Sequence, residues 1–294
     1  MSRDPGRIPS VLLFVATLAS VYVTYGFMWD GGNPFTDPGV AGRSAAFASS
    51  LMIILLAHEM GHYAVARAHG FRLSLPYFIP FPAGFGTLGA LIRLRSPPPN
   101  RTALLEMGAA GPLAGAVCSF LALAVGLPLG GEVLEPDPGT TILVFSDPLA
   151  VKLVGTLLLG APPDRYALLH PVGLAGWIGC LLTAINLLPI GQLDGGHIAA
   201  ALVPGRARIL SKVLLGLLVV GAVAWPGWGV WALVLLLLGA WRSLPVPVRP
   251  PLTPRSRRIA LAAGAVFLLT FMPRPIQVEE VPGDPGGGSP TAPE

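Results

Sequence analysis

The sequence predicts an all-α polytopic membrane protein of about six or seven transmembrane helices with a small re-entrant β element, and three observations predict it. Hydrophobic residues make up 53% of the 294 and charged residues only 12%, and the apolar residues come in long runs rather than at amphipathic spacing. The basic residues gather in the loops of one side. One apolar stretch between two runs is broken by prolines and so cannot cross as a helix.

Taken in order, the spans fall at 8–28, 44–68, 103–127, 172–190, 209–225, 227–242 and 258–273. The first lacks a small-residue cleavage site and reads as a retained helix rather than a removed signal peptide. The fifth and sixth are separated only by Trp225-Pro226-Gly227-Trp228, so they form a tight hairpin or one interrupted element. With the N-terminus cytoplasmic and the spans alternating, only Arg43, Lys152, Arg165 and Arg274 of the nineteen basic residues fall outside. The net charge of +4 is therefore a record of topology, and it does not argue for nucleic acid as a partner. The partner it does imply is the lipid bilayer. Cys118 and Cys180 lie within spans, where a thiol is a small apolar packing residue. The longest loop, 128–170, contains an apolar segment at 151–159 that suits a helix lying at the interface. The tail, 274–294, has the composition of a disordered segment.

Residues 71–100 carry the proline-broken stretch. Leu73-Ser74-Leu75-Pro76-Tyr77-Phe78-Ile79-Pro80-Phe81-Pro82 is followed by Phe85-Gly86-Thr87-Leu88-Gly89-Ala90-Leu91-Ile92-Arg93-Leu94-Arg95, whose end alternates apolar and basic residues as a strand does. A re-entrant or interfacial β element is tolerated at membrane depth where it lines a cavity.

Inside the second span stand His58-Glu59-Met60-Gly61-His62. A central ionisable residue costs a membrane helix roughly 2.5–3.5 kcal/mol, so this cluster needs a compensating role. In H-E-x-x-H the two histidines lie one turn apart on one helix face, where both can ligate a single zinc ion. Glu59 points about 100° away and can reach a metal-bound water without ligating the metal. Five histidines in this composition would produce the pattern by chance with a probability of roughly 0.002. The chemistry implied is metal-assisted hydrolysis with Glu59 as acid and base.

A catalytic zinc needs a third protein ligand. A metzincin would carry His at position 68, but Ala68 stands there and His69 is out of register. Glu106, at the entrance to the third span, is one candidate, with an interfacial acid near Arg101 as its plainer role. Asp194 is the stronger one, because it follows a span that breaks at Pro189 and Gly191, and a buried carboxylate is stabilised beside a cation. Asn186, eight residues earlier, can donate its amide to a substrate carbonyl. His197 follows the two glycines and is expected outside the ligand set.

The motifs together resemble the site-2 protease family of intramembrane zinc metalloproteases. They run from His58-Glu59-Met60-Gly61-His62 through Gly86-Thr87-Leu88-Gly89-Ala90, Asn100-Arg101-Thr102-Ala103-Leu104 and Gly108-Ala109-Ala110-Gly111-Pro112-Leu113-Ala114-Gly115 to Asn186-Leu187-Leu188-Pro189 and Leu193-Asp194-Gly195-Gly196. The resemblance implies one zinc per chain on His58, His62 and Asp194, Glu59 as acid/base, and a three-helix catalytic core. It also implies a bacterial cytoplasmic membrane and single-span substrates, such as anti-sigma factors, transcription regulators or remnant signal peptides. The expected units are 1–43, a catalytic core at 44–204, C-terminal helices at 205–273 and the tail. Many relatives add a PDZ or CBS domain, for which this chain has no room. The edge around Gly86, Thr87 and Gly89 is expected to hold an unwound substrate as an added strand. The rival readings are a non-proteolytic metal-binding scaffold and a metal transporter. The sequence sets no oligomeric state.

Overall fold

Caps and prolines write the helix ends of this chain. The computed structural model describes residues 7–131, 139–164, 167–237, 239 and 250–281. Helix α1 (Arg7–Thr24) runs on through one π-helical turn, Tyr25–Trp29. The Asp37 carboxylate accepts hydrogen bonds from the backbone N–H groups of Gly39 and Val40, at 2.7 and 3.2 Å, and Pro38 takes the first helical position of α2 (Pro38–Ala68). Asn100 accepts from the Ala103 N–H at 2.8 Å and starts α3 (Arg101–Leu129). By length and composition, the segments Ile8–Trp29, Pro38–Ala68 and Arg101–Leu129 are able to cross a membrane.

Two of the later helices, at Pro171–Asn186 and Ala207–Gly221, are shorter than the apolar runs that predicted them. Helix α5 (Pro171–Asn186) stops four residues early, because Pro189 disfavours helical backbone in the residue before it and cannot donate a helical bond. Its residues are buried nearly all round, Trp177, Ile178 and Cys180 completely, so α5 is the central rod against which α2 and α3 pack. Helices α6 (Asp194–Leu202), α7 (Ala207–Gly221), α8 (Pro226–Leu237) and α9 (Pro254–Thr270) follow it. Pro226 starts α8 after a turn at Ala222–Trp225, so 209–225 and 227–242 are two helices joined as a tight hairpin. The far end of 227–242 lies outside the described residues from 238, apart from Gly239.

Strands β1 (Tyr77–Pro80) and β2 (Thr87–Leu91) form an antiparallel hairpin, continued at its base by a bridge between Leu73 and Leu94. The hairpin lies along α1. Phe78 packs edge-on against Phe14, Gly86 sits on the Val21 backbone, and the Trp29 indole N–H donates to the Gly84 carbonyl at 2.7 Å while its ring stacks on Phe85. From Phe14 to Trp29 an α-helix rises about 22 Å, so the hairpin runs beside most of α1. The Trp29 hydrogen bond and stack are each worth about 1 kcal/mol. We expect Trp29→Ala to speed hydrogen exchange of the Phe81 and Gly86 amides at the hairpin tip at least tenfold, as read by mass spectrometry, with α2 unchanged.

A second antiparallel pair joins β3 (Thr141–Phe145) to β4 (Ile276–Glu280). Ile276–Glu280 belongs to the tail expected to be disordered. Its alternating residues instead pair with a strand more than 130 positions earlier, a long-range match that composition does not report; residues 282–294 lie outside the described ones. Helix α4 (Leu149–Leu159) follows β3, where an interfacial helix was expected at 151–159. Between them, burial pushes the Asp147 carboxyl up to about 6, against the opposing pull of Lys152. A raised carboxyl pKa favours the fold below the ordinary value of about 3.8, and that contribution is lost as pH rises through about 6. Asp147→Asn should therefore remove a decline in thermal stability between pH 4 and 7, measured by light scattering in detergent.

Candidate metal centre

Two turns of α2 and the first turn of α6 meet beneath α3. His58 Nε2 lies 3.1 Å from His62 Nε2 and 3.2 Å from one Asp194 carboxylate oxygen, and His62 Nε2 lies 3.2 Å from the other. Ligands on a tetrahedral zinc with bonds of about 2.0–2.1 Å stand about 3.3 Å apart. The three donors fit one such ion, and two imidazoles with a carboxylate are the donor types zinc takes. The His62 ring has a fixed tautomer: Nδ1 lies 2.8 Å from the Met107 carbonyl oxygen and donates to it, which leaves the Nε2 lone pair facing the other donors.

Glycines make the approach. Gly61 faces the Ala110 carbonyl, a methyl group on Gly111 would overlap the His62 ring, and one on Gly115 would press on His58. The small-residue segment 108–115 is thus what lets α3 close over the histidine face of α2. At the other end, any side chain at Gly195 or Gly196 would collide with the carbonyls of Leu187 and Gly191, because the 187–193 loop folds back tightly on the start of α6. Ser211 of α7 donates to the Ala207 carbonyl and accepts from the Gly191 N–H at 3.0 Å, pinning that loop. The Leu193-Asp194-Gly195-Gly196 motif is the sequence of that turn.

A cavity of about 220 Å3 adjoins the donors. His58, Glu59, His62 and Asp194 line it together with Asn186, Gln192 and His197, and its opposite wall is the hairpin at Ala90, Leu91, Ile92 and Leu94. Glu59 is buried on α2 beside His58 but outside the donor triad. Asn186 closes α5 at the cavity edge.

Three residues expected to bind substrate stand in the hairpin just outside the cavity lining. Gly86 is pressed against α1, the Thr87 hydroxyl donates to the Ile79 carbonyl and accepts from the Gly89 N–H, and none of Gly86, Thr87 and Gly89 lines the cavity. They shape the hairpin, with Gly86 and Gly89 at positive φ, and the cavity wall begins one residue further on. Glu106 is likewise no ligand. Its carboxylate lies 2.9 Å from His69 Nε2 and accepts from the Ser256 hydroxyl at 2.8 Å, tying α2 and α3 to the start of α9 rather than pairing with Arg101. Gln192 was not singled out from the sequence, and only its place in the reversed loop brings it to the cavity.

The sequence profile of Peptidase family M50, the site-2 protease family, matches residues 46–224. The chain belongs to that family. This M50 chain is 34% identical over 212 residues to a protein of Arabidopsis thaliana named "Probable zinc metalloprotease EGY1, chloroplastic", covering 68% of this chain and 37% of the relative. It is 29% identical over 299 residues to "Probable zinc metalloprotease EGY3, chloroplastic" of Oryza sativa subsp. indica, covering 93% of this chain and 49% of that one. The chain thus spans about half or less of the length of these relatives. Their names place those proteins in the chloroplast, so the comparison offers no support for the bacterial cytoplasmic membrane expected above. No solved structure matches the chain.

Proposed function

We propose that this chain is an intramembrane zinc metalloendopeptidase that hydrolyses peptide bonds within transmembrane segments of other membrane proteins. The observation that carries the reading is the convergence of the His58, His62 and Asp194 donors on one tetrahedral position, beside Glu59 and inside a cavity walled by a strand. Bound zinc would supply the acidity that turns water into a nucleophile near neutral pH. Glu59 accepts the water's proton and returns it to the leaving amine. Asn186 donates to the carbonyl under attack. A helical substrate hides its carbonyls, so the scissile stretch must unwind. The edge of β2 opposite β1 has no strand partner among the described residues, and a substrate strand can pair there, directed by Ala90–Leu94 toward the metal position.

The hairpin is on this reading a re-entrant element, supported by its course along α1. The short helices α5, α7, α8 and α9 cross with α1, α2 and α3, giving the seven-span arrangement. On this reading the basic loops and the N-terminus face the cytoplasm, and the membrane is the bacterial cytoplasmic one that the family resemblance implies. His58 lies nine residues, ~13 Å of helix, above Arg67, so water enters from that side. Substrates are single-span membrane proteins.

A transporter would use the histidines for passage and has no need of Glu59 beside them. Comparing the proteomes of membranes that hold the intact chain and the Glu59→Gln chain tests the reading. Transmembrane stubs that accumulate only with the variant are expected; identical proteomes would overturn it.

A further inference from the structure

His197 occupies the second turn position of α6, three residues after Asp194, so both side chains project from one face of that helix toward the cavity that both line. The ring is held closely. Gly108 of α3 approaches so near that an added methyl would stand 3.0 Å from the His197 Cβ and 3.1 Å from the Asp194 carbonyl oxygen. Yet the Nδ1 of the imidazole is buried without a hydrogen-bond partner among the described residues. An unpaired buried N–H is the rarer and costlier case, more so than an unpaired acceptor. The proton of the neutral ring therefore belongs on Nε2, which leaves one unused donor on a rigid group beside the metal position.

We propose that His197 is a second donor to the substrate: its Nε2–H hydrogen-bonds the scissile carbonyl oxygen and tightens on it as negative charge develops. This rests on the protease reading above, and it pairs His197 from α6 with Asn186 from α5 as two donors from different elements. The placement is a consequence of the turn chemistry at Gly195 and Gly196, which sets Asp194 on the first turn of α6 and His197 on the next step of the same face. A packing role alone would leave a half-buried polar ring at the cavity with its Nδ1 unpaired, at a cost that leucine would avoid.

The test uses the full chain in detergent, with zinc content, cleavage of a transmembrane reporter, and binding of a phosphinate peptide that imitates the tetrahedral intermediate. A peptide of the same sequence with an ordinary amide, bound to the Glu59→Gln protein with and without the second change, serves as the ground-state reference. His197→Leu should keep one zinc per chain and the reporter KM within about threefold. It should lose about 10²-fold in kcat, with a matching loss of phosphinate affinity and little loss for the amide peptide. His197→Gln, which restores a donor, should recover at least a tenth of the wild-type kcat. Equal phosphinate affinity in wild type and His197→Leu overturns the proposal, as does a fall in kcat that follows zinc loss in both variants. Failure of the wild type to cut any reporter, with phosphinate binding still dependent on His197, would strike the protease reading and leave the donor assignment standing.

Discussion

Glu59→Gln should leave one zinc per chain bound and lower reporter cleavage by about 10²–10⁴-fold, the usual worth of a positioned general acid and base. The expectation follows from the geometry. Glu59 lines the cavity, but the donor atoms that fit an ion belong to His58, His62 and Asp194, so the carboxylate is free of ligation and available for a proton. The amide of glutamine keeps the shape and cannot accept that proton. Zinc content by mass spectrometry and single-turnover cleavage in proteoliposomes check the two halves separately. Undiminished cleavage would remove Glu59 from the mechanism, and loss of zinc would make it a ligand.

The second large effect falls on a residue with no chemistry of its own. Gly111→Ala places a methyl group where the His62 ring stands, and the ring must leave its bond to Met107 or α3 must move away from α2. Either response breaks the alignment of three donors. Second-sphere disruption of this kind costs about 10–100-fold in metal affinity, and activity should fall at least as far. Gly216→Ala, at a helical glycine with open space around it, is the matched control and should change neither. Retention of zinc through chelator dialysis in Gly111→Ala to the wild-type level would contradict the packing described for α2 and α3.

Much of the centre was legible in the sequence because its residues are costly where they stand. Histidines and a glutamate in an apolar run demand a cation, and a proline and glycine break after the fourth apolar run marks where backbone can turn to bring Asp194 back. The small residues of 108–115 suit close helix packing, but nothing in the sequence says that Gly111 clears the His62 ring. Local signals stop at local distances. The Glu106 bond to Ser256 joins residues 150 apart, and the pairing of Thr141–Phe145 with Ile276–Glu280 is nearly as remote. Neither leaves a trace in periodicity. Gly86, Thr87 and Gly89 stood out through the family motif and as an edge able to take an added strand. Gly86 instead packs on the Val21 backbone of α1, and the Thr87 hydroxyl bonds the Ile79 carbonyl inside the hairpin, contacts between segments far apart in sequence or across a turn. The fourth span was read too long because its apolar run continues through Pro189, but the helix does not.

X-ray absorption at the zinc edge of the purified full chain tests the central claim most directly. A first shell of two imidazole nitrogens and one carboxylate oxygen plus solvent is expected, with the carboxylate contribution lost in Asp194→Ala and one imidazole lost in His62→Ala. A zinc shell that Asp194→Ala leaves unchanged would contradict the convergence of α2 and α6 on one ion.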